Sequence, residues 1–185
     1  VRGGVLEWTP PPGRWRVLRL GASTTGAVNG PARADATGLE VDKLDAGRVR
    51  AYLETHLSRF TGDAGAAVSA LLSDSIEAGL QNWTDAIAEE FAARRGYDPT
   101  PWLPCLLGWV VGDAARADRF LYDYRRTLAE LLAAHYYGTL ATVAHERGWT
   151  LYAEALEDRR PQLGDDLAMR AAADVPMGAM WTFAP

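Results

Sequence analysis

The sequence predicts an α/β fold of parallel βα units that make up about half of a (β/α)8 TIM-type barrel, with a small doubly wound sheet as the rival architecture. Three observations predict it. Short apolar runs at 67–73 and 149–155 alternate with segments of helical periodicity. Each run ends in acidic or polar residues, as strands do at the working edge of a parallel sheet. The chain has 185 residues, whereas a complete barrel takes about 250, so four core strands amount to half of one. The whole of 1–185 is expected to be one partial catalytic-type domain, entered through a hairpin-like stretch at 1–21.

Taken in order, Val5-Leu6-Glu7-Trp8 and Trp15 to Leu20 read as two strands joined by the Pro10-Pro11-Pro12-Gly13 turn. Glycines and small polar residues over 21–43 predict a long loop, and long loops in compact domains tend to be functional. Val49, Leu53 and Leu57 recur at i, i+4 and predict a helix over about 45–60, with Asp45 as N-cap and Gly62 as stop. Ala67 to Ser73 is nearly all apolar and fits a parallel strand buried on both faces. A helix over about 83–95 follows, capped by Asn82 or Thr84 and closed by Gly96. The longest helix is expected over about 114–147, with Leu121, Tyr124, Leu128, Leu131, Leu132, His135 and Tyr136 as its apolar stripe and a bend at Gly138. Trp149 to Ala155 predicts the third core strand, and Asp174 to Trp181 the fourth. A half barrel has two unpaired sheet edges, so the piece is expected to need the rest of its chain or a self-association partner.

Composition excludes several function classes. A net charge of -5 argues against a generally basic nucleic-acid binder. No run approaches the roughly 18 consecutive apolar residues of a membrane helix, so no membrane partner is expected. The lone Cys105 excludes an internal disulfide framework and a cysteine-cluster zinc site. His135 and His145 do not have the spacing of a helical zinc pair. The glycines at 21, 26 and 30 match neither a dinucleotide fingerprint nor a phosphate loop. Compartment is left open, with a secreted or periplasmic parent protein slightly favoured.

The chemistry is expected at the strand ends. The 67–73 strand delivers Asp74 and Glu77; the next delivers Tyr152 and Glu154; the loop after Leu20 carries Ser23, Thr24 and Thr25; the last strand carries Met177 and Trp181. Glycoside hydrolysis needs two carboxyl groups from different elements, one protonated to assist the leaving oxygen and one ionised to activate water or attack the sugar. The plainer alternative makes Asp74 a helix cap, and Glu77 and Glu154 solvated loop acids. Trp83 and Trp102 are candidate sugar-stacking walls, although core packing is the commoner fate of such residues.

Several ordered blocks resemble one family. They are Trp15-Arg16-Val17-Leu18-Arg19-Leu20-Gly21, Thr24-Thr25-Gly26, Gly38 to Leu44, Asp74-Ser75-Ile76-Glu77 through Thr84, Arg94 to Pro99, Tyr152-Ala153-Glu154 and Asp174-Val175-Pro176-Met177-Gly178. The set resembles the bacterial α-L-rhamnosidase-type hydrolases of glycoside hydrolase family 106 over nearly the whole chain. The resemblance implies a (β/α)8 catalytic domain within a longer multidomain protein. It also implies removal of terminal L-rhamnose from polysaccharides with inversion, and calcium at the active site, with ligands the sequence does not name. Glu77 is then the expected general acid and Glu154 the second carboxylate. Asp74, Asn82, Trp83, Tyr152 and Trp181 are the expected carbohydrate contacts. One position departs from the pattern: Ala179 stands where the family places a Glu after Asp-Val-Pro-Met-Gly. A non-catalytic carbohydrate-binding or scaffold segment is the rival function, and a self-contained doubly wound protein with another substrate is the second rival.

Overall fold

Asp45 starts the first helix as expected, its carboxylate accepting from the backbone N–H of Arg48 at 2.9 Å. This is α1, Ala46–Leu57, and it buries the Val49, Leu53 and Leu57 row. It stops at Ser58 rather than at Gly62. Gly62 instead opens a short α2, Gly62–Ala66, from the left-handed region at φ 61. The computed structural model describes residues 5–30, 32–76, 79, 81–155 and 163–178.

The next helix, α3, spans Ile87–Arg95 and ends on the left-handed Gly96. Neither Asn82 nor Thr84 caps it. Thr84 donates its hydroxyl to Asp42 at 2.8 Å, and the N-cap position falls to Ala86, which has no side-chain cap to offer. A 3-10 segment, Thr100–Leu107, then lays Trp102 against the long helix α4, Ala114–Leu131. Asp113 caps α4 through Arg116 N–H at 2.9 Å. Phe91 is fully buried; its ring lies 4.9 Å from Tyr97 and 5.7 Å from Phe120. Such tilted and edge-to-face pairs add to the burial of apolar area.

The expected single helix over 114–147 is interrupted. After α4 comes a π-helical turn, Leu132–Tyr137, and then α5, Gly138–His145. The extra residue per turn shifts the helix face, so Tyr137 becomes fully buried while His135 and Tyr136 stay half-buried. Gly138 ends the π turn, and Gly148, left-handed at φ 70, ends the helical region.

Three parallel strands follow one another in space as in sequence: β1 Ala70–Ser73, β2 Thr150–Ala153 and β3 Val175–Pro176. The register pairs Ala70 with Thr150, Ser73 with Ala153 and Tyr152 with Val175. The central β2 is the core strand, with Leu151 and Ala153 fully buried. The expectation that β1 is buried on both faces fails, because Leu72 is 64% exposed. A short α6, Asp166–Arg170, precedes β3, and Asp174 links the strands by accepting from Leu151 N–H at 2.7 Å.

The hairpin expected at 1–21, and with it the first of four core strands, is also corrected. Residues 6–20 form no strand. Trp8 and Trp15 pack edge to face at 5.1 Å across the turn, and the Trp15 indole N–H donates to Pro11 O. Pro10, Pro11 and Pro12 have no N–H for a ladder, and Val17, Leu18 and Leu20 are exposed and pair with no strand among the described residues. Part of the 21–43 loop is tied by one antiparallel bridge between Val28 and Leu39. The sequential parallel order agrees with βα units, and the three strands of the described residues form no closed barrel. Among the described residues no helix is long and apolar enough to cross a membrane.

Candidate active site

Parallel pairing of Ser73 with Ala153 sends residues 74 and 154 out of the sheet side by side, at its carboxyl edge. Glu154 N–H donates to Ser73 O at 3.0 Å, so the ladder still holds where the two acids emerge. Their side chains are hydrogen-bonded to each other. That bond holds the Asp74 carboxyl below the usual aspartate range, helped by the Ser75 N–H at 2.9 Å. The same bond pushes Glu154 above the usual glutamate range; burial adds to the rise, as does the charge of Asp74. The Ser75 N–H and Arg170 pull Glu154 the other way, with less effect. Asp74 is exposed and Glu154 is 7% exposed. A raised Glu154 beside a lowered Asp74 is the pattern of two neighbouring carboxyl groups that compete for one proton.

The plainer alternative for these acids fails at both described positions: Asp74 caps no helix, and Glu154 is no solvated loop acid. The backbone carries strain at the same place. Ala155, fully buried, has φ 48, the left-handed region that a side chain with a Cβ rarely enters. Strain of this kind gathers where a structure must aim a functional group.

The other expected residues fall in three groups. Tyr152 is half-buried on β2, on the opposite face from Leu151 and Ala153. Asn82 and Trp83 lie in the segment before α3; Tyr124 donates its hydroxyl to Asn82 O at 2.9 Å, and Trp83 packs partly on the core. Glu77 and Trp181 lie outside the described residues, as does Ala179.

Sequence reasoning missed the hub that holds this region. Asp42 Oδ1 accepts from Leu44 N–H and Gln81 Nε2 at 3.0 and 3.1 Å. Its Oδ2 accepts from Arg48 Nη1 and Thr84 Oγ1 at 3.0 and 2.8 Å. One carboxylate thereby pins the 40–45 loop and α1 to the 81–85 segment. The repeat of acids at 42 and 45 with Arg48 three residues on is the only sequence signal for it. The π turn was missed too. It places Tyr136 beside the Ser73 side chain, one residue before Asp74, with Lys43 Nζ 5.7 Å above its ring. Among the described residues no group of three or more His, Cys, Asp or Glu is arranged to hold a metal ion.

Carboxyl groups thus meet on the rim of a parallel sheet in an α/β fold, and comparison with known proteins gives the family. Residues 2–185 match the family model described as alpha-L-rhamnosidase, glycoside hydrolase family 106. The chain belongs to that family. It is 36% identical over 185 residues to a putative beta-glucuronidase of Formosa agariphila, covering 97% of this chain and 15% of that protein. The solved rhamnosidase from Novosphingobium sp. PP1Y is 55% identical with a TM-score of 0.80, covering 86% of this chain and 16% of that one. The chain thus spans about a sixth of the length of these relatives.

Proposed function

We propose that this segment supplies acid–base carboxyl groups to a rhamnoside-cleaving catalytic domain of a much longer protein. The observation that carries the reading is the pairing of the Asp74 and Glu154 carboxyl groups at the carboxyl edge of adjacent parallel strands. A hydrogen-bonded pair is closer than either catalytic spacing, about 5–5.5 Å for retention or 6.5–9.5 Å for inversion. Asp74 and Glu154 therefore act as one unit, and the carboxyl group on the other side of the glycosidic bond comes from elsewhere. Glu77, three residues beyond Asp74, takes that place as the general acid. It protonates the leaving oxygen, while ionised Asp74, held by Glu154, receives the proton of the attacking water. Tyr152, Asn82, Trp83 and Trp181 complete the proposed sugar contacts.

A (β/α)8 barrel completed by further strands is the proposed setting, since both outer edges of the three-stranded sheet are open among the described residues. Calcium is retained as a proposal that needs more oxygen ligands than the described residues bring together: such ions take about 6–8, and Asp74 and Glu154 already bond to each other.

The test is hydrolysis of an aryl α-L-rhamnoside by the full-length protein, followed by NMR of the first-formed sugar anomer. E77Q, D74N and E154Q are each expected to lower kcat by roughly 10²–10⁴-fold, and the product is expected to be inverted. Undiminished turnover in all three variants refutes the assignment.

A further inference from the structure

Between the 22–27 loop and the 81–85 segment lies a cleft of about 440 Å³, within the size range of small-molecule sites. Its charged groups are held by one another. Arg48, the one cation lining it among the described residues, meets Asp85 at 2.5 Å, Asp42 at 3.0 Å and Asp45 at 3.7 Å. Glu40 is held by Lys43 Nζ at 2.6 Å. Each Asp42 oxygen already accepts two hydrogen bonds, so this acid is a fastening and offers little to a ligand.

The neutral groups behave differently. Ser23, Thr24 and the Asn82 carboxamide line the cleft and make no hydrogen bond among the described residues. Trp83 packs partly on the core and also faces the cleft. A line of neighbours leads from here toward the acid pair: Glu40 to Lys43, and Lys43 to the Tyr136 ring, which lies beside Ser73, the residue before Asp74.

We propose that this cleft holds a neutral, hydroxyl-rich sugar unit of the glycan that carries the scissile rhamnose, and that its acidic balance turns uronic acids away. The proposal rests on the hydrolase reading above and adds the substrate class. Sugar hydroxyls both donate and accept, which suits Ser23, Thr24 and Asn82, and the Trp83 ring offers an apolar surface to the sugar's C–H groups. A uronate would enter beside Glu40, Asp42 and Asp85 with no uncommitted cation to meet it, and like charges brought together oppose binding.

The experiment uses the full-length protein and two thio-linked disaccharides that resist hydrolysis, rhamnosyl-glucose and rhamnosyl-glucuronic acid, titrated by calorimetry. The neutral probe is expected to bind about tenfold more tightly at low salt, the order of a single unfavourable charge contact. N82A should weaken the neutral probe several-fold. D85N, which loosens the hold on Arg48, should narrow the gap by improving the uronate. Equal or tighter binding of the uronate by the unaltered protein overturns the inference, as does an N82A variant that binds the neutral probe with full affinity. Neutral preference in binding without turnover of any rhamnoside sinks the hydrolase reading instead and leaves the cleft's selectivity standing.

Discussion

Glu154 and Asp74 show how one contact sets two carboxyl groups apart. The sequence shows both as acids at strand ends; it does not show that they bond to each other, because that depends on the register of strands whose Ser73–Glu154 bond joins residues 81 apart. The pH dependence follows from the directions of the two shifts. Glu154 keeps its proton above the usual glutamate value, so its share of stability is complete below that value and is lost as pH rises through the raised one. Asp74 is held low, so its share is present above the usual aspartate value and is lost as pH falls through the lowered one. The pair therefore stabilises the domain most between those limits. In thermal unfolding of the full-length protein, E154Q is expected to flatten the alkaline decline of this domain's transition, because the amide can donate to Asp74 at every pH. A decline as steep in E154Q as in the unaltered protein removes the shared proton from the account.

At the level of elements, caps written in the sequence survive where nothing competes for them. Asp45 and Asp113 each bond the backbone N–H three residues on, and D113A is expected to cost about 1 kcal/mol in urea unfolding. A loss near zero would mean that α4 is set by its packing alone. Thr84 loses its capping role because Asp42, far away in sequence, takes its hydroxyl. The long helix was legible in its stripe of Tyr124, Leu128, Leu131 and Leu132, all buried. Its π turn was not, since one extra residue in a turn leaves no mark on a pattern this short. The proline-rich entry failed as a hairpin for a reason the sequence already contains, the missing N–H groups at 10–12.

The molecule as a whole exposes 12666 Å², against about 8,700 Å² for a folded monomer of this mass. Leu72, Val17, Leu107 and Val110 are each more than 60% exposed, and both sheet edges are open among the described residues. This is the surface of a part that packs against more chain, in keeping with relatives of which it spans 15% and 16%. The excised segment is expected to bind a hydrophobic dye strongly and to run as multimers in light scattering, whereas the full-length protein does neither at the same concentration; a monodisperse, dye-silent segment would make it a self-sufficient domain. By itself, the sequence determined the helices, the parallel strands and the acids at their ends, because periodicity and capping act over a few residues. It also carried the family, through the order of its blocks. Tertiary structure alone decided which acids touch, in which direction each carboxyl shifts and that Asp42 fastens the cleft. Those depend on groups brought together from distant parts of the chain, and their energies come from distance and burial, which no local pattern encodes.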